Sequence, residues 1–301
     1  MLTIADLDFF GAVARAHSLA AAARDLDVTP SAVTQRLQDL ERRVGVRLVD
    51  RSARRVTLTD EGELLAAQGR VITDDVAALS EALAARRGEV AGHLRVIAPF
   101  GFGRRYMAPI VAAFQAGHPA ITIELTVSDR LGRVPDSSWD VAIHIGELRE
   151  TALPAQLLAP NDRILCASPA FVARYGEPTT PKSLLDFRCL ALRENDEDVT
   201  LWRFTVPQGG NAQVRIAPCL ASNDGDIMRE WALDGQGIIL RSEWSIADDL
   251  REGRLVRLLA SCRAPAADVV AFVGPRRGRS ARTSRFVQFL RESLTPTPWR
   301  A

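Results

Sequence analysis

Residues 18–62 read SLAAAARDLDVTPSAVTQRLQDLERRVGVRLVDRSARRVTLTDEG, and this stretch decides the fold of the amino-terminal part of the chain. Its spacing predicts two short helices joined by a tight turn, then a basic β-hairpin. The second helix carries its own start and stop signals. Thr29 is a good N-cap, Pro30 suits the first helical position where its missing N–H costs nothing, and Gly45 follows the last periodic residue. Val33, Leu37, Leu40 and Val44 recur at helical spacing as a core stripe. Ser31, Thr34, Gln35 and Gln38 fall on another face, where hydroxyls and amides suit base edges or phosphates in a DNA major groove. For an isolated helix an ordinary solvated face is the favoured reading, so the flanking elements decide.

Upstream, TIADLDFFGAVARAH (3–17) places Ile4, Leu7, Phe10, Val13 and Ala14 on one side. Ser18 then caps an alanine-rich helix whose Leu19, Ala22, Ala23 and Leu26 turn inward, small enough for the close helix approach of a helix-turn-helix. Downstream, VRLVD and RVTLT flank a turn bearing Arg51, Arg54 and Arg55. Residues 36–55 hold seven arginines (36, 42, 43, 47, 51, 54, 55) against three acids (39, 41, 50), whereas the whole chain is only +1. Positive charge concentrated on a near-neutral protein suits phosphate contact with a steep salt dependence.

These residues resemble the winged helix-turn-helix of LysR-type transcriptional regulators. That pattern runs S-(hydrophobic)-x-x-A-A-x-x-L, a Ser/Thr-containing reading helix ending L-E-x-x-(L/V)-G, then L-(F/V)-x-R-x-x-R-x-x-x-L-T-x-x-G. Ser18, Ala22, Leu26, Leu40, Glu41, Gly45, Leu48, Arg51, Arg54, Leu58, Thr59 and Gly62 carry it here. The resemblance implies that Pro30, Ser31, Thr34, Gln35 and Gln38 face double-stranded DNA, with Ser18 and the wing arginines on phosphates or the minor groove. Family members often have Gln-Pro where this chain has Pro30-Ser31 and Ser-Arg where it has Thr34-Gln35, so no operator sequence transfers.

Thr59 is set to cap a further helix with Asp60, Glu61 and Glu63 in its first turn, where acids complement the helix dipole. It is predicted to run to about Arg87, roughly 40 Å at 1.5 Å per residue. Leu65, Ile72, Val76, Leu79 and Leu83 keep a coiled-coil spacing with Gly69 in the remaining position, which reads as a dimer seam in a linker helix over 59–88. Packing of this helix on its own domain is the competing reading. Two heads joined this way suit half-sites one or more helical turns apart; the family resemblance implies an interrupted palindrome near a promoter, with RNA polymerase as a further partner.

At 301 residues, 47% hydrophobic and 25% charged, the chain is of ordinary globular composition and long enough for two or more domains. No apolar run is long enough to span a membrane, and MLTIADLD has neither a basic region nor a signal core, so the cytoplasm is the expected location. Cys166, Cys189, Cys219 and Cys262 lie far apart and read as reduced core thiols. Lys182 is the sole lysine, a bias that fits a GC-rich bacterial genome.

From about Gly92 strands and helices alternate. HLRVIAPF, ITIELTVSD, WDVAIHIG, ILCAS, CLALRE, QVRIAPCLAS, GIILRS, LVRLL and ADVVAFVGP read as strands. GRRYMAPIVAAFQAG, FVARYG, SLLDF, residues 225–235 and SARTSRFVQFLRESL read as helical. Two such halves with two crossings describe a periplasmic-binding-protein-like clamp over 92–295, subdomain I being 92–162 plus 267–295 and subdomain II 163–266. CASPAF, EGRLVRLL and GQGIILRSEW also resemble the LysR-type effector domain. The fold class is thus an all-α winged helix-turn-helix (residues 1–62) with a long linker helix, followed by a two-subdomain α/β effector domain.

In such sheets ligands sit outside the carboxyl ends of strands, beside helix N-termini. Pro99, Phe100, Gly101, Phe102 and Gly103 occupy that place in the first half, Ser222, Asn223 and Asp224 in the second. Free N–H groups at two helix starts favour an anion, most simply a carboxylate. Asp129, His144, Trp202 and Arg241 are added as candidate contacts, each with a capping, packing or surface role as its alternative. His144 stands where many relatives carry arginine, and in the cleft it makes effector affinity pH-dependent.

Enzyme readings fit poorly. Gly101-x-Gly103 lacks the third glycine of a dinucleotide fingerprint, since Tyr106 stands there, and His17, His93, His118 and His144 show no metal-ligand spacing. The reading is therefore a homodimeric or homotetrameric transcriptional regulator responding to a small, anionic effector, without cofactor, metal or membrane. The alternatives are a solute-binding protein whose N-terminal segment oligomerises, against which the wing arginines count, and a non-specific DNA-organising protein, which leaves most of the chain without a purpose.

Overall fold

The computed structural model describes residues 1–16, 18–50, 56–85, 90–128, 139–146, 155–193, 199–207, 209–274 and 280–301. They form two compact units, Met1–Arg87 and Gly88–Ala301.

In the first unit α1 spans Ile4–Arg15, α2 Leu19–Asp25 and α3 Pro30–Val44. Each begins at a side-chain cap, which satisfies one of the N–H groups that a helix start leaves unpaired. Thr3 and Asp6 form a reciprocal capping box on α1. The Ser18 hydroxyl accepts from the Ala21 N–H at 3.1 Å, and the Thr29 hydroxyl accepts from the Ala32 N–H at 3.3 Å. Gly45 ends α3 in the left-handed region at φ 80°, as a C-terminal cap requires. Phe9, Phe10, Val13, Ala22, Val33, Leu37 and Leu40 close the core between these helices.

The wing strands are β1 (Val49–Asp50) and β2 (Thr57–Leu58), antiparallel with Val49 opposite Leu58. Helix α4 follows over Asp60–Ala85. Its first turn lies so close to β1 that a Cβ on Gly62 would stand 2.0 Å from the Leu48 carbonyl oxygen. Only glycine fits there, which accounts physically for the last residue of the quoted pattern.

The first half of α4 departs from the expected seam. Leu65 packs against the core of its own head, and a Cβ on Gly69 would meet Leu7 of α1 at 3.1 Å. The close crossing at Gly69 is therefore between α1 and α4 of one chain. The remaining seam residues Ile72, Val76, Leu79 and Leu83 are 46%, 42%, 63% and 57% exposed.

In the second unit β3 (Gly92–Ala98) leads into α5 (Phe100–Phe102), a π-helical turn at Gly103–Met107 and α6 (Ala108–Gly117). Pro109 explains the π turn: it has no N–H for the Arg105 carbonyl, and its ring crowds that carbonyl. Strands β4 (Ile121–Val127), β5 (Val141–Ile145) and β6 (Ala155–Ala159) complete the first pass through subdomain I. Subdomain II contains β7 (Arg163–Ala167), α7 (Pro169–Tyr175), a 3₁₀ turn at Pro181–Asp186, β8 (Cys189–Leu192), β9 (Leu201–Thr205) and β10 (Asn211–Arg215). It continues through β11 (Pro218–Ser222), α8 (Gly225–Leu233), β12 (Ile239–Ser242), α9 (Glu243–Arg251) and β13 (Val256–Arg257). The chain then returns as β14 (Val269–Val273) and α10 (Ala281–Ser293).

The sheet of subdomain I has the order β4-β3-β5-β14-β6, with β3 parallel to β4 and β5 but β14 antiparallel to both its neighbours. It is mixed because β14 re-enters from the other subdomain. In subdomain II the β11–β8 pair and the β12-β7-β13 sheet are joined where Cys189 bridges Ile238. The stretch QVRIAPCLAS, read as one strand, breaks into β10 and β11, which pair with different partners. Pro218 opens β11, a place where its missing N–H is tolerated.

Both crossings are knotted at Asn161, which is 1% exposed. Its amide donates to the Ala267 carbonyl at 2.7 Å and accepts from the Trp244 N–H at 3.2 Å. The C-terminal tail, unassigned by sequence, closes over this point. Trp299 is buried with its indole N–H on the Pro160 carbonyl at 3.2 Å, and Arg300 pairs with both Asp162 and Glu243.

The Arg43 guanidinium donates to Asp6 at 2.6 Å, and chiefly for that reason, against the effect of burial, the Asp6 carboxyl is lowered to about 2. A depressed carboxylate contributes stability above its unfolded value and loses it as pH falls through the folded one. Asp6→Ala is expected to cost the head on the order of 1–3 kcal/mol at neutral pH. In thermal melts by circular dichroism the deficit should shrink between about pH 4 and pH 2; a pH-independent deficit contradicts the ion-pair account.

Candidate functional site

Helix α3 is sharply two-sided. Val33, Leu37 and Leu40 are at most 2% exposed, while Pro30, Ser31, Gln35 and Gln38 are exposed and Thr34 is half-buried. The hydroxyls have local partners: Thr34 donates to the Pro30 carbonyl at 2.9 Å, and the Ser31 oxygen lies 3.0 Å from that of Thr29. The Gln35 and Gln38 amides make no hydrogen bond among the described residues. They are the groups with full donor and acceptor capacity for a base edge. Ser18 spends its acceptor on capping α2.

Counting arginines overstates the free charge. Arg36 lies 4.4 Å over the Phe9 ring and donates to the Ala5 carbonyl at 2.8 Å. Arg42 pairs with Asp39 at 3.0 Å, and Arg43 with Asp6 at 2.6 Å. These three brace α3, two of them against α1, a role invisible in local sequence because Asp6 and Arg43 are 37 residues apart. Arg47 is exposed and without an ion pair among the described residues. Arg51, Arg54 and Arg55 lie outside the described residues. The buried Glu41 carboxylate accepts from the Leu48 N–H at 2.9 Å and the Val49 N–H at 3.3 Å, tying the end of α3 to the first wing strand.

In the second unit the strand registers align a row of residues. Ala98 of β3 pairs with Val127 of β4, and Val96 pairs with Val141 of β5. Extending both registers sets Ser128, Pro99 and His144 abreast at the carboxyl end of that sheet. In subdomain II, β12 ends at Ser242 opposite Arg163, the first residue of β7, while the Arg193 N–H bonds the Ser222 carbonyl at 2.8 Å. The two ends meet at Gly146, where a Cβ would stand 3.1 Å from Arg163 Nη2 and 3.9 Å from His144 Nε2. Gly146 has φ 129° as well, so conformation and space both require glycine.

Other expected contacts sit elsewhere. Phe102 is fully buried, 5.1 Å from the Tyr106 ring, 5.4 Å from Trp244 and 6.1 Å from Trp299, so it is a core side chain. Gly103 faces β4, where a Cβ would meet Val127 at 2.4 Å. Trp202 belongs to the core of subdomain II on β9, opposite Val214. Arg241 is 5% exposed and pressed under Gly225, whose Cβ would fall 2.2 Å from the guanidinium; it supports the loop carrying Asn223. Asp129 lies outside the described residues. Pro99, Phe100, Gly101 and Ser222 are half-buried and Asn223 is exposed.

The start of α8 is also less open to an anion than sequence suggests. The Asp224 carboxylate accepts from the Asp226 N–H at 2.8 Å, and Arg104 reaches both Asp224 (3.3 Å) and Asp226 (2.5 Å). Burial opposes ionisation of Asp224, but the Asp226 N–H and the Arg104 guanidinium outweigh it and hold the carboxyl low. Arg105 pairs with Asp248. These pairs join the subdomains around a cavity of about 360 Å³ lined by Gly101, Arg104, Arg105, Asp226, Arg229, Trp244 and Ser245.

Burial pushes the Cys166 and Cys189 thiols up to about 12, which suits inert core groups. Cys219 departs from the expectation of core thiols and is exposed on β11. Among the described residues no group of three His, Cys, Asp or Glu is placed to hold a metal, and no helix is long and apolar enough to cross a membrane.

A winged helix-turn-helix head with a polar reading face, followed by a two-subdomain clamp, defines a DNA-binding regulator with a ligand-responsive domain. Family models agree: residues 4–63 match the bacterial regulatory helix-turn-helix protein, lysR family, and residues 87–295 match the LysR substrate binding domain. The chain belongs to the LysR family of transcriptional regulators. It is 38% identical to the HTH-type transcriptional regulator DmlR of Escherichia coli K12 over 95% of this chain and 93% of that one. It is 33% identical to the HTH-type transcriptional activator TtdR of the same strain, over 84% of this chain and 82% of that one. The structure of CrgA, a LysR-type regulator from Neisseria meningitidis, superposes with a TM-score of 0.61 at 28% identity, covering 98% of this chain and 99% of that one. These relatives are regulators, and members of the family bind DNA, respond to small-molecule effectors and form oligomers; the chain is a regulator and not an enzyme.

The glycine geometry separates packing from ligand contact. Gly103→Ala is expected to destabilise the second unit by about 1–3 kcal/mol through overpacking on Val127. Asn223→Ala, on an exposed loop, should stay within about 0.5 kcal/mol. Urea unfolding of both variants checks this, and equal losses contradict the assignment of Gly103 to the core.

Proposed function

We propose that the chain acts in the cytoplasm as a homodimer, itself paired into tetramers, that holds an interrupted palindrome near a promoter and there influences RNA polymerase. The carrying observation is the exposed face of α3, where Gln35 and Gln38 keep unspent hydrogen-bonding groups on a helix whose other side is fully buried. Gln35→Ala is expected to cost about 1–3 kcal/mol at particular base pairs. Thr34→Ala should cost less, since that hydroxyl already donates to the Pro30 carbonyl. Nuclease footprinting on operator variants reads both; identical affinities for wild type and Gln35→Ala at every variant contradict the reading face.

Dimerisation through the distal half of α4 is supported by the exposed Ile72, Val76, Leu79 and Leu83, which keep a coiled-coil spacing after the head has taken Leu65 and Gly69. Val76→Asp combined with Leu79→Asp should raise the dimer dissociation constant at least about tenfold, because each charge enters an apolar seam. Sedimentation equilibrium measures it, and an unchanged dimer contradicts the seam.

The effector we infer is a small anion held where Pro99, Ser128 and His144 line up at the end of one sheet and face the end of the other. Its differential affinity for two clamp conformations is what alters DNA binding.

A further inference from the structure

Arg163 was not singled out by sequence. Arg104, Arg105, Arg229, Arg254 and Arg300 are all paired with carboxylates. Arg163 is half-buried, yet its side chain makes no hydrogen bond or ion pair among the described residues. The acid before it in sequence and the one that follows its strand partner are already engaged: Arg300 takes Asp162 at 2.8 Å and Glu243 at 2.6 Å. Glu243 follows Ser242, the strand partner of Arg163, so Arg300 neutralises the acids on both sides of it.

The guanidinium nevertheless has a fixed place. It starts on subdomain II and reaches across to Gly146 of subdomain I, whose missing side chain makes room for it, with the His144 ring beside it. A half-buried guanidinium without a carboxylate partner among the described residues, at the junction of two strand ends, is costly to hold unless something anionic completes it.

We propose that Arg163 is the effector's anchor, receiving the carboxylate of a small organic acid as a bidentate pair with His144 alongside. This inference rests on the anionic-effector reading and gives it an atom-level site. Because Arg163 belongs to one subdomain and Gly146 to the other, a carboxylate bound there touches both halves and favours the closed clamp.

The test is isothermal titration calorimetry on the full chain with acetate, oxalate, succinate, glutarate and benzoate, each beside its uncharged amide. The expected result is binding of at least one acid but not of its amide. Arg163→Gln should weaken that acid about 10- to 100-fold, the loss of one charged hydrogen-bonding pair. Arg163→Lys should recover part of the loss. Ligand-free DNA footprints of both variants should match wild type, which establishes that the fold is intact. If Arg163→Gln binds the same acid as tightly as wild type, the anchor is wrong while the anionic reading stands. If the amides bind and the acids do not, or if no acid binds wild type, the anionic reading fails and the anchor with it.

Discussion

One buried carboxylate organises the DNA-binding head. Glu41 sits at the end of α3 and accepts the first two N–H groups of the wing segment, from Leu48 and Val49. The angle between reading helix and wing is thereby fixed by a side chain on the helix itself. Gly62 completes the arrangement, since α4 can rest on the Leu48 carbonyl only where no Cβ intervenes. The reading helix is held from behind by Arg36 and Arg43, whose cationic ends are spent on α1. Charge-assisted bonds of this kind hold geometry more firmly than neutral ones, a rigidity that the proposed DNA-reading role of α3 requires.

The effector domain is organised around a different buried polar group. Asn161, on the first crossing, satisfies its amide on the second crossing at Ala267 and on the start of α9, so the hinge is a defined joint. Trp299 and Arg300 brace it from outside, one into the core of subdomain I and the other onto acids at the joint and at the start of α9. Arg104 and Arg105 add ion pairs across the cleft's flank. Mostly exposed, these contribute little energy each and are screened by salt. They suit the opening and closing proposed for the clamp.

Much of this was legible in the sequence because the signals are local. Caps at Ser18, Thr29 and Gly45, the stripe of Val33, Leu37 and Leu40, and the antiparallel wing depend only on neighbours within a turn or two. What was not legible depends on residues far apart. Leu65 and Gly69 keep seam spacing, yet the chain's own head claims them, because periodicity gives a face but not its partner. Phe102 and Trp202 looked like ligand contacts by position and proved to be core by burial. Arg163 carried no pattern at all; it stands out only beside Gly146 and with the neighbouring acids committed to Arg300. The anion-favouring start of α8 was misjudged because Asp224 and Arg104 meet only in three dimensions.

The central claim is that the polar face of α3 is the surface that meets duplex DNA. Hydrogen–deuterium exchange of the full chain, with and without a protected genomic fragment, tests it most directly. The account predicts slowed exchange concentrated in residues 29–38 and in the segment joining the wing strands. Protection confined to residues 88–301, with the reading helix exchanging at its free rate, contradicts it.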